Sequence, residues 1–238
     1  LNNKPLYQRL VLDQGFYPDG IWTAPTDKAL KNDIILSMKA GFNGARLHEK
    51  VFEDRFHYWA DKLGYITWAE WGNWGANENA KGTETAFMHE WPKIVEHLKN
   101  HPSIITWTPF NETNTLECNS QHKKLMRLAY DITKKIDPTR PVNETSGYQH
   151  QKTDIWTVHH YEPNPDKLMK ALNPKKGVYK NFPKFEVSYK NQPYIIDEYG
   201  GAWWLPLNVR DKFFSWGHGD HVRPKSIQEV YDLSLIHI

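Results

Sequence analysis

Residues 103–112, Ser-Ile-Ile-Thr-Trp-Thr-Pro-Phe-Asn-Glu, form a β-branched and aromatic run that ends in a polar pair. Such a run is typical of a buried strand. Helical patterns lie on both sides of it: apolar residues of 84–100 recur at helical spacing, and another helix is predicted over 121–136. A strand between two helices is the repeating unit of an α/β protein with a parallel sheet.

The same alternation extends along the chain. Seven strands are predicted, at 6–12, 42–48, 65–71, 103–109, 141–145, 154–160 and 194–197. Helices are predicted at 26–40, 53–63, 84–100 and 121–136, with a short helix near 167–172 and the start of another at 226–232. The predicted fold class is therefore α/β, a (β/α)8 TIM barrel with about seven β units present and strand eight missing.

The length of 238 residues fits one domain, since barrels of this kind take about 250 residues. We predict that residues 1–232 form the barrel domain, as a fragment. Residues 233–238, Leu-Ser-Leu-Ile-His-Ile, are predicted to be a non-native tail. The alternative for this tail is a genuine continuation of the preceding helix.

Charge and composition exclude several classes of function. The chain carries 30 Lys and Arg against 28 Asp and Glu, without a long run of either sign, which argues against a nucleic-acid partner. No stretch approaches the roughly 20 consecutive apolar residues of a membrane span. Cys118 is the single cysteine, so an internal disulfide is impossible.

Polar and ionisable residues follow the predicted strands at one end, where α/β barrels place their reactive groups. They are Arg46 and His48 after the second strand, Glu70 after the third, Asn111 and Glu112 after the fourth, Asn143 and Glu144 after the fifth, His159, His160 and Tyr161 at the sixth, and Asp197 and Glu198 at the seventh. Surface charge without a function would be scattered. This grouping therefore favours a binding or catalytic site at the rim.

Two carboxylates at barrel strand ends suit glycoside cleavage, in which one donates a proton and the other attacks the anomeric carbon. The fourth and seventh strands face each other across an eight-stranded barrel, so Glu112 and Glu198 are expected to meet. A nearby negative charge is expected to keep Glu112 protonated, and Arg46 to keep Glu198 ionised. Asp197 is expected on the opposite side of its strand.

Several motifs resemble glycoside hydrolase family 2, which includes β-galactosidases, β-glucuronidases and β-mannosidases. The run 101–107, His-Pro-Ser-Ile-Ile-Thr-Trp, leads into Asn111 and Glu112 as in the acid/base strand of that family. Residues 137–142 and 193–199, Asp-Pro-Thr-Arg-Pro-Val and Pro-Tyr-Ile-Ile-Asp-Glu-Tyr, are similar to the approach to its fifth strand and to its nucleophile strand. The similarity extends from about residue 2 to residue 204.

The resemblance implies catalytic roles for two residues: Glu112 as the general acid/base and Glu198 as the nucleophile of a retaining, most nearly β-galactosidase-like, hydrolase. The binding residues that it implies are Arg46 and Tyr161 on the nucleophile carboxylate, Asn111 on the sugar 2-hydroxyl and His159 at the sugar site. His48 is a further predicted substrate-binding residue, and Trp74 and Trp203 are predicted from the fit of flat aromatic faces to sugar rings. It also implies a carbohydrate substrate, no metal or organic cofactor, and β-sandwich domains upstream in the full-length protein.

Other interpretations stay open at this point. A β-glucuronidase-like or β-mannosidase-like hydrolase would share the same motifs, and so would a related barrel that acts on polysaccharide chains. A catalytically dead barrel that only binds carbohydrate is a second alternative, and a metal-dependent hydrolase that uses His159 and His160 as ligands is a third. For Trp74 and Trp203, core packing is the competing explanation, and Glu144 is expected only to pair with neighbouring polar groups.

Overall fold

A computed structural model describes residues 1–113, 116–201 and 224–231 of the chain. Its strands are β1 (Leu10–Asp13), β2 (Gly44–Leu47), β3 (Ile66–Glu70), β4 (Ile104–Thr108), β5 (Phe110–Asn111), β6 (Thr145–Ser146), β7 (Trp156–His159) and β8 (Tyr194–Glu198). Its helices are α1 (Asp27–Lys39), α2 (Asp54–Leu63), α3 (Lys81–Leu98), α4 (Ser120–Ile136) and α5 (Pro165–Ala171), followed by a 3-10 turn at Pro174–Lys176. The predicted alternation of strands and helices is confirmed.

Local chemistry explains where the elements begin and end. The hydroxyl of Thr26 accepts a hydrogen bond from the backbone of Ala29 and so caps α1. Gly64 ends α2 in the left-handed conformation, with φ of 69°. The predicted fourth strand is divided into β4 and β5 at Pro109, whose nitrogen carries no hydrogen for a ladder bond.

All strand pairs among the described residues are parallel. The ladders run β1-β2-β3-β4, β5-β6 and β7-β8, and a single bridge from Trp107 to Val142 links β4 to the segment before β6. In the described part of the chain, β1 and β8 have no strand on their outer sides. A cavity of about 520 Å³ lies there, lined by residues of β1, β8 and α5. The described residues therefore form a partial TIM barrel that is open between β1 and β8.

Two apolar clusters join the strands to their helices. One packs α1 and α2 on β2, around Ile34 and Phe56. The other packs α3 and α4 on β3 and β4, around Phe87, Trp91 and Trp107. Much of the high tryptophan content therefore serves the core, as composition alone suggests. No helix in the described ranges combines the length and apolar character that crossing a membrane requires.

Candidate active site

Arg46, at the end of β2, connects the strand ends of the rim. Its guanidinium lies 2.5 Å from carboxylate oxygens of both Glu70 and Glu198, and it donates to the side chains of Asn111 at 2.9 Å and Ser146 at 2.6 Å. Burial opposes the charge of Arg46, but the surrounding carboxylates outweigh burial and raise its pKa. A permanent positive charge therefore sits beneath the rim.

Glu198 ends β8 with its carboxylate fully engaged. One oxygen meets Arg46, and the other accepts a hydrogen bond from the hydroxyl of Tyr161 and lies 3.4 Å from Nδ1 of His159. Burial, followed by the charge and hydrogen bond of Glu198, raises the pKa of Tyr161, so its hydroxyl keeps the hydrogen that it donates. Both partners fix the position of the Glu198 carboxylate.

Glu112 follows β5 in the left-handed region, with φ of 39°, which is uncommon for a side chain of its kind. Its backbone N–H donates to the carbonyl oxygen of Ser146. Its Oε1 atom lies 2.6 Å from Nδ1 of His159, and a carboxylate oxygen of Glu112 lies within 4.8 Å of one of Glu198. The two predicted catalytic carboxylates therefore meet at the mouth of the barrel.

The pKa of Glu112 contradicts the expectation that a neighbouring negative charge keeps it protonated. Burial would raise this pKa, but the hydrogen bond and charge of His159, the hydrogen bond of Tyr148 and the charge of Arg46 lower it below its usual value. The expectation was wrong because a carboxyl group responds to its nearest partner, and that partner is the imidazole of His159.

His159 lies between acidic groups on both edges of its ring. Its Nδ1 faces Glu112, and its Nε2 lies 2.9 Å from the hydroxyl of Ser146 and 3.4 Å from a carboxylate oxygen of Asp197. Although burial opposes the charge, these carboxylates and Glu198 raise the pKa of His159 to about 9. The ring is therefore an imidazolium at neutral pH, with a proton directed at Glu112.

The chain leaves room for this imidazole only because residue 147 is glycine. A Cβ atom added to Gly147 would lie 2.2 Å from Cδ2 of His159, and the φ of Gly147 is 76°. Tyr148, the next residue, has its ring centroid 5.5 Å from that of His159 and 4.7 Å from that of Phe182.

The alternation of side chains along a strand predicts that Asp197 points away from the site. In the structure it points into the site instead. Its Oδ2 atom accepts hydrogen bonds from Ser146 at 2.6 Å and from Arg46 at 3.3 Å. The register between β7 and β8 shifts at Val158 and His159, and this irregularity breaks the regular alternation. Asp197 and Glu198 consequently reach the same guanidinium.

Two side chains on the segments that follow β2 and β3 are hydrogen-bonded to site residues and hold them in place. His48 is hydrogen-bonded through Nδ1 to Arg46 at 2.8 Å and faces Glu70 at 3.2 Å. Asn73 holds the backbone of Asn111 twice: its Oδ1 accepts from the N–H at 2.7 Å, and its Nδ2 donates to the carbonyl oxygen at 2.8 Å. This clamp fixes the residue that precedes Glu112.

The remaining predicted residues fall into three groups. Trp74 is 82 % exposed, which excludes core packing for its ring. Glu144 is buried and accepts from His150 and from the backbone of Gln151, as expected of a structural carboxylate. Trp203 and the tail 233–238 lie outside the described residues. Asn73, Ser146 and Tyr148 are further site residues that were not predicted from the sequence. Asn73 and Tyr148 lie on loops at the rim and Ser146 ends β6, and this position was the only signal for them.

Three of these side chains lie close enough together to be considered as metal ligands. Among the described residues, ligand atoms of Glu112, His159 and Glu198 come within 4.8 Å of one another. However, the Arg46 guanidinium lies 2.5 Å from Glu198, and the protonated ring of His159 occupies the space between the carboxylates. A divalent cation would have to displace these positive charges, so we assign no metal to the site.

Residues 24–205 match the model of the glycosyl hydrolases family 2 TIM barrel domain, and the chain belongs to that family. It is 27 % identical to a beta-galactosidase of Vibrio vulnificus strain CMCP6 over 228 residues, which is 90 % of this chain and 20 % of that protein. It is 35 % identical to a beta-galactosidase of Psychromonas ingrahamii over 133 residues, 54 % of this chain and 12 % of the relative. The chain thus spans a small part of the length of these relatives.

Solved structures agree on the fold. A beta-glucuronidase of Parabacteroides merdae superposes with a TM-score of 0.68 at 16 % identity, covering 84 % of this chain and 25 % of that one. A GH2 beta-galacturonidase from Eisenbergiella tayi superposes with a TM-score of 0.63 at 18 % identity, covering 84 % and 37 %. At these identities the similarity shows a shared barrel and not a shared substrate.

Proposed function

We propose that this chain is the catalytic barrel of a retaining β-glycoside hydrolase. One observation carries the proposal: carboxylate oxygens of Glu112 and Glu198 lie within 4.8 Å of each other. Retaining glycosidases hold their two carboxyl groups about 5–5.5 Å apart, whereas inverting enzymes need about 6.5–9.5 Å to admit a water molecule. The spacing supports direct attack by one carboxylate.

Glu198 is the nucleophile of the proposed reaction. Arg46 and Tyr161 hold and orient its carboxylate through hydrogen bonds. A Glu198 oxygen attacks the anomeric carbon, and the bond from that carbon to the leaving oxygen breaks. A covalent glycosyl-enzyme forms, with inversion at the carbon.

Glu112 delivers a proton to the leaving oxygen. In the free enzyme this proton lies on His159, 2.6 Å from the Glu112 carboxylate, and moves to Glu112 as the leaving oxygen approaches. In the second step Glu112 takes a proton from water, the water oxygen attacks the anomeric carbon, and the bond to Glu198 breaks. Two inversions leave the product with the configuration of the substrate.

The substrate favoured by the proposal is a β-galactoside, because the relatives that align with most of this chain are beta-galactosidases. Asn111 is the proposed partner of the sugar 2-hydroxyl. A β-glucuronide or β-mannoside is the alternative within the family. A barrel that only binds carbohydrate is disfavoured, since binding alone requires neither the paired carboxylates nor the buried charges that hold them. The β-sandwich domains expected upstream stay a prediction.

The stereochemistry of the product tests the mechanism. The protein expressed from its complete gene is mixed with aryl β-galactosides, β-glucuronides and β-mannosides, and the first sugar released is followed by proton NMR. The proposal expects the β-anomer first, with a chelator leaving the rate unchanged. The α-anomer as first product would show inversion and refute the assignment of Glu198 as nucleophile.

A further inference from the structure

Two aromatic side chains on the loop after β1 are open to solvent. The rings of Phe16 and Trp22 are nearly parallel, with 10° between their planes and 5.9 Å between their centroids. Phe16 is 61 % exposed and Trp22 is 53 % exposed. Single exposed apolar residues are ordinary, but a contiguous aromatic pair is typical of a binding surface. We refer to Phe16 and Trp22 as the rim pair.

The loop that carries the rim pair is fixed by hydrogen bonds. The ammonium group of Lys50 donates to the carbonyl oxygens of Gly15 at 3.2 Å and Trp22 at 2.8 Å. An antiparallel bridge joins Tyr17 to Ile21, with a backbone hydrogen bond of 2.8 Å. The rings are thus presented on a built hairpin, which lowers the entropy cost of binding a ligand there.

The rim pair lies on the same side of the barrel as the candidate active site, because parallel strands place all their following loops at one rim. Where this loop begins, it is hydrogen-bonded to a residue of the candidate site. The backbone N–H of His48 donates to the carbonyl oxygen of Asp13 at 2.8 Å, and the His48 ring is hydrogen-bonded to Arg46, which holds Glu198.

A third exposed ring, that of Trp74, belongs to a segment that is hydrogen-bonded to Glu49, the neighbour of Lys50. The carboxylate of Glu49 accepts from the backbone N–H groups of Asn73 at 2.6 Å and Trp74 at 2.9 Å, and Trp74 is the most exposed of the three rings. Residues 48–50 therefore hold the rim pair through Lys50 and Trp74 through Glu49. Aromatic faces pack well on the apolar C–H faces of sugar rings, and such a ring is the ligand that an aromatic surface next to a glycosidase site fits.

We propose that the rim pair binds a sugar unit of a β-linked oligosaccharide, beyond the unit held between Glu112 and Glu198. The substrate class is then an oligosaccharide or polysaccharide and not a glycoside of a small alcohol. This inference rests on the proposed function for the position of the cleaved bond.

The test compares oligosaccharide substrates of different length. In the protein expressed from its complete gene, kcat/KM is measured for an aryl monosaccharide glycoside and for β-linked oligosaccharides of increasing length, in wild type, Trp22→Ala and Phe16→Ala. We expect wild type to prefer the longer substrates. Each variant should lose about three- to tenfold of kcat/KM on the long substrates and keep its rate on the aryl glycoside. Tyr58→Ala is the matched control, since Tyr58 is a partly exposed ring on α2, away from the rim.

Two results would overturn the rim pair as a sugar site. One is an equal loss on all substrates, which would show a structural role, such as contact with another part of the protein. The other is no loss at all. If the protein cleaves no glycoside, the proposed function fails separately. The same oligosaccharides, then intact, are titrated calorimetrically into wild type and Trp22→Ala, and equal affinity or no binding would contradict the proposal.

Discussion

The Nδ1 atom of His159 lies 2.6 Å from Oε1 of Glu112, and this pair determines where the proton of the proposed reaction resides. The imidazole lowers the pKa of Glu112, and the surrounding carboxylates raise the pKa of His159 to about 9. Without a substrate, the site therefore carries an ionised Glu112 next to a protonated His159. The acid of the proposed reaction is this pair and not one side chain.

The pH dependence of kcat/KM follows from that pair. This quantity reports the groups of the free enzyme, so it should fall as pH rises through about 9, where His159 loses its proton. In His159→Gln the alkaline limb should move to lower pH, since Glu112 must then hold the proton itself. An alkaline limb that is identical in wild type and His159→Gln would contradict this role.

The same raised pKa has a consequence for stability. The folded pKa of His159 lies above its ordinary value of 6.5, so the stability it contributes is fully present below pH 6.5 and is lost as pH rises through about 9. Denaturant unfolding of wild type and His159→Gln between pH 6 and pH 10 measures this, with wild type losing its advantage in that window. A constant difference between the two proteins would argue against it.

Replacing Arg46 should damage both stability and activity. In Arg46→Met the carboxylates of Glu70, Asp197 and Glu198 are left together in a buried site without their cation. We expect the free energy of unfolding to fall by about 3–5 kcal/mol. Arg55→Met is the control, because Arg55 forms an exposed ion pair with Asp27 and should leave the melting temperature nearly unchanged. Similar melting temperatures for both variants would be the contrary result.

Asn73 should affect turnover through the backbone of Asn111. In Asn73→Asp one carboxylate oxygen can still accept from the Asn111 N–H, but the other faces the Asn111 carbonyl oxygen, which had received a hydrogen bond. Glu112 is then displaced, and kcat should fall about tenfold or more with little change in KM. Asn79→Asp is the control. Asn79 lies in the same loop as Asn73 and also accepts from a backbone N–H, that of Asn119. Equal kcat values would exclude the clamp as a positioning device.

A side chain at residue 147 should lower the stability of the protein. Alanine there must adopt a positive φ and would press its Cβ on the ring of His159. Gly147→Ala should lose at least about 1 kcal/mol of stability and shift the alkaline limb of the pH profile together with His159. Gly82→Ala provides the comparison, because nothing lies within 4 Å of a Cβ at Gly82. A stable Gly147→Ala with a normal pH profile would show that His159 can move freely.

The order of strands and helices was predictable because hydrophobic periodicity and the caps at Thr26 and Gly64 are local properties. Strand lengths were not. Residues 141–145 read as a strand, but the carboxylate of Asp154 takes the Val142 N–H and β6 begins only at Thr145. Between β4 and residues 141–143 the pairing is therefore limited to one bridge, in which the Trp107 N–H donates to the Pro141 carbonyl oxygen and the Asn143 N–H to the Trp107 carbonyl oxygen.

The candidate site likewise has features that were predictable from the sequence and features that were not. Glu112, Glu198, Arg46 and Tyr161 were predictable because strand ends converge at one rim. The pairing of Glu112 with His159 depends on Gly147 and on the register shift at Val158 and His159, which no local pattern reveals. The lowered pKa of Glu112 and the inward position of Asp197 were missed for that reason.

Trapping of the covalent intermediate identifies the nucleophile. The protein expressed from its complete gene is incubated with 2-deoxy-2-fluoro β-glycosides, and the labelled peptide is fragmented in the mass spectrometer to separate Asp197 from Glu198, since both reach Arg46. We predict one sugar on Glu198, absent in Glu198→Gln. A label on Asp197 or on the peptide that carries Glu112, or turnover of the parent glycoside without any label, would contradict Glu198 as the nucleophile.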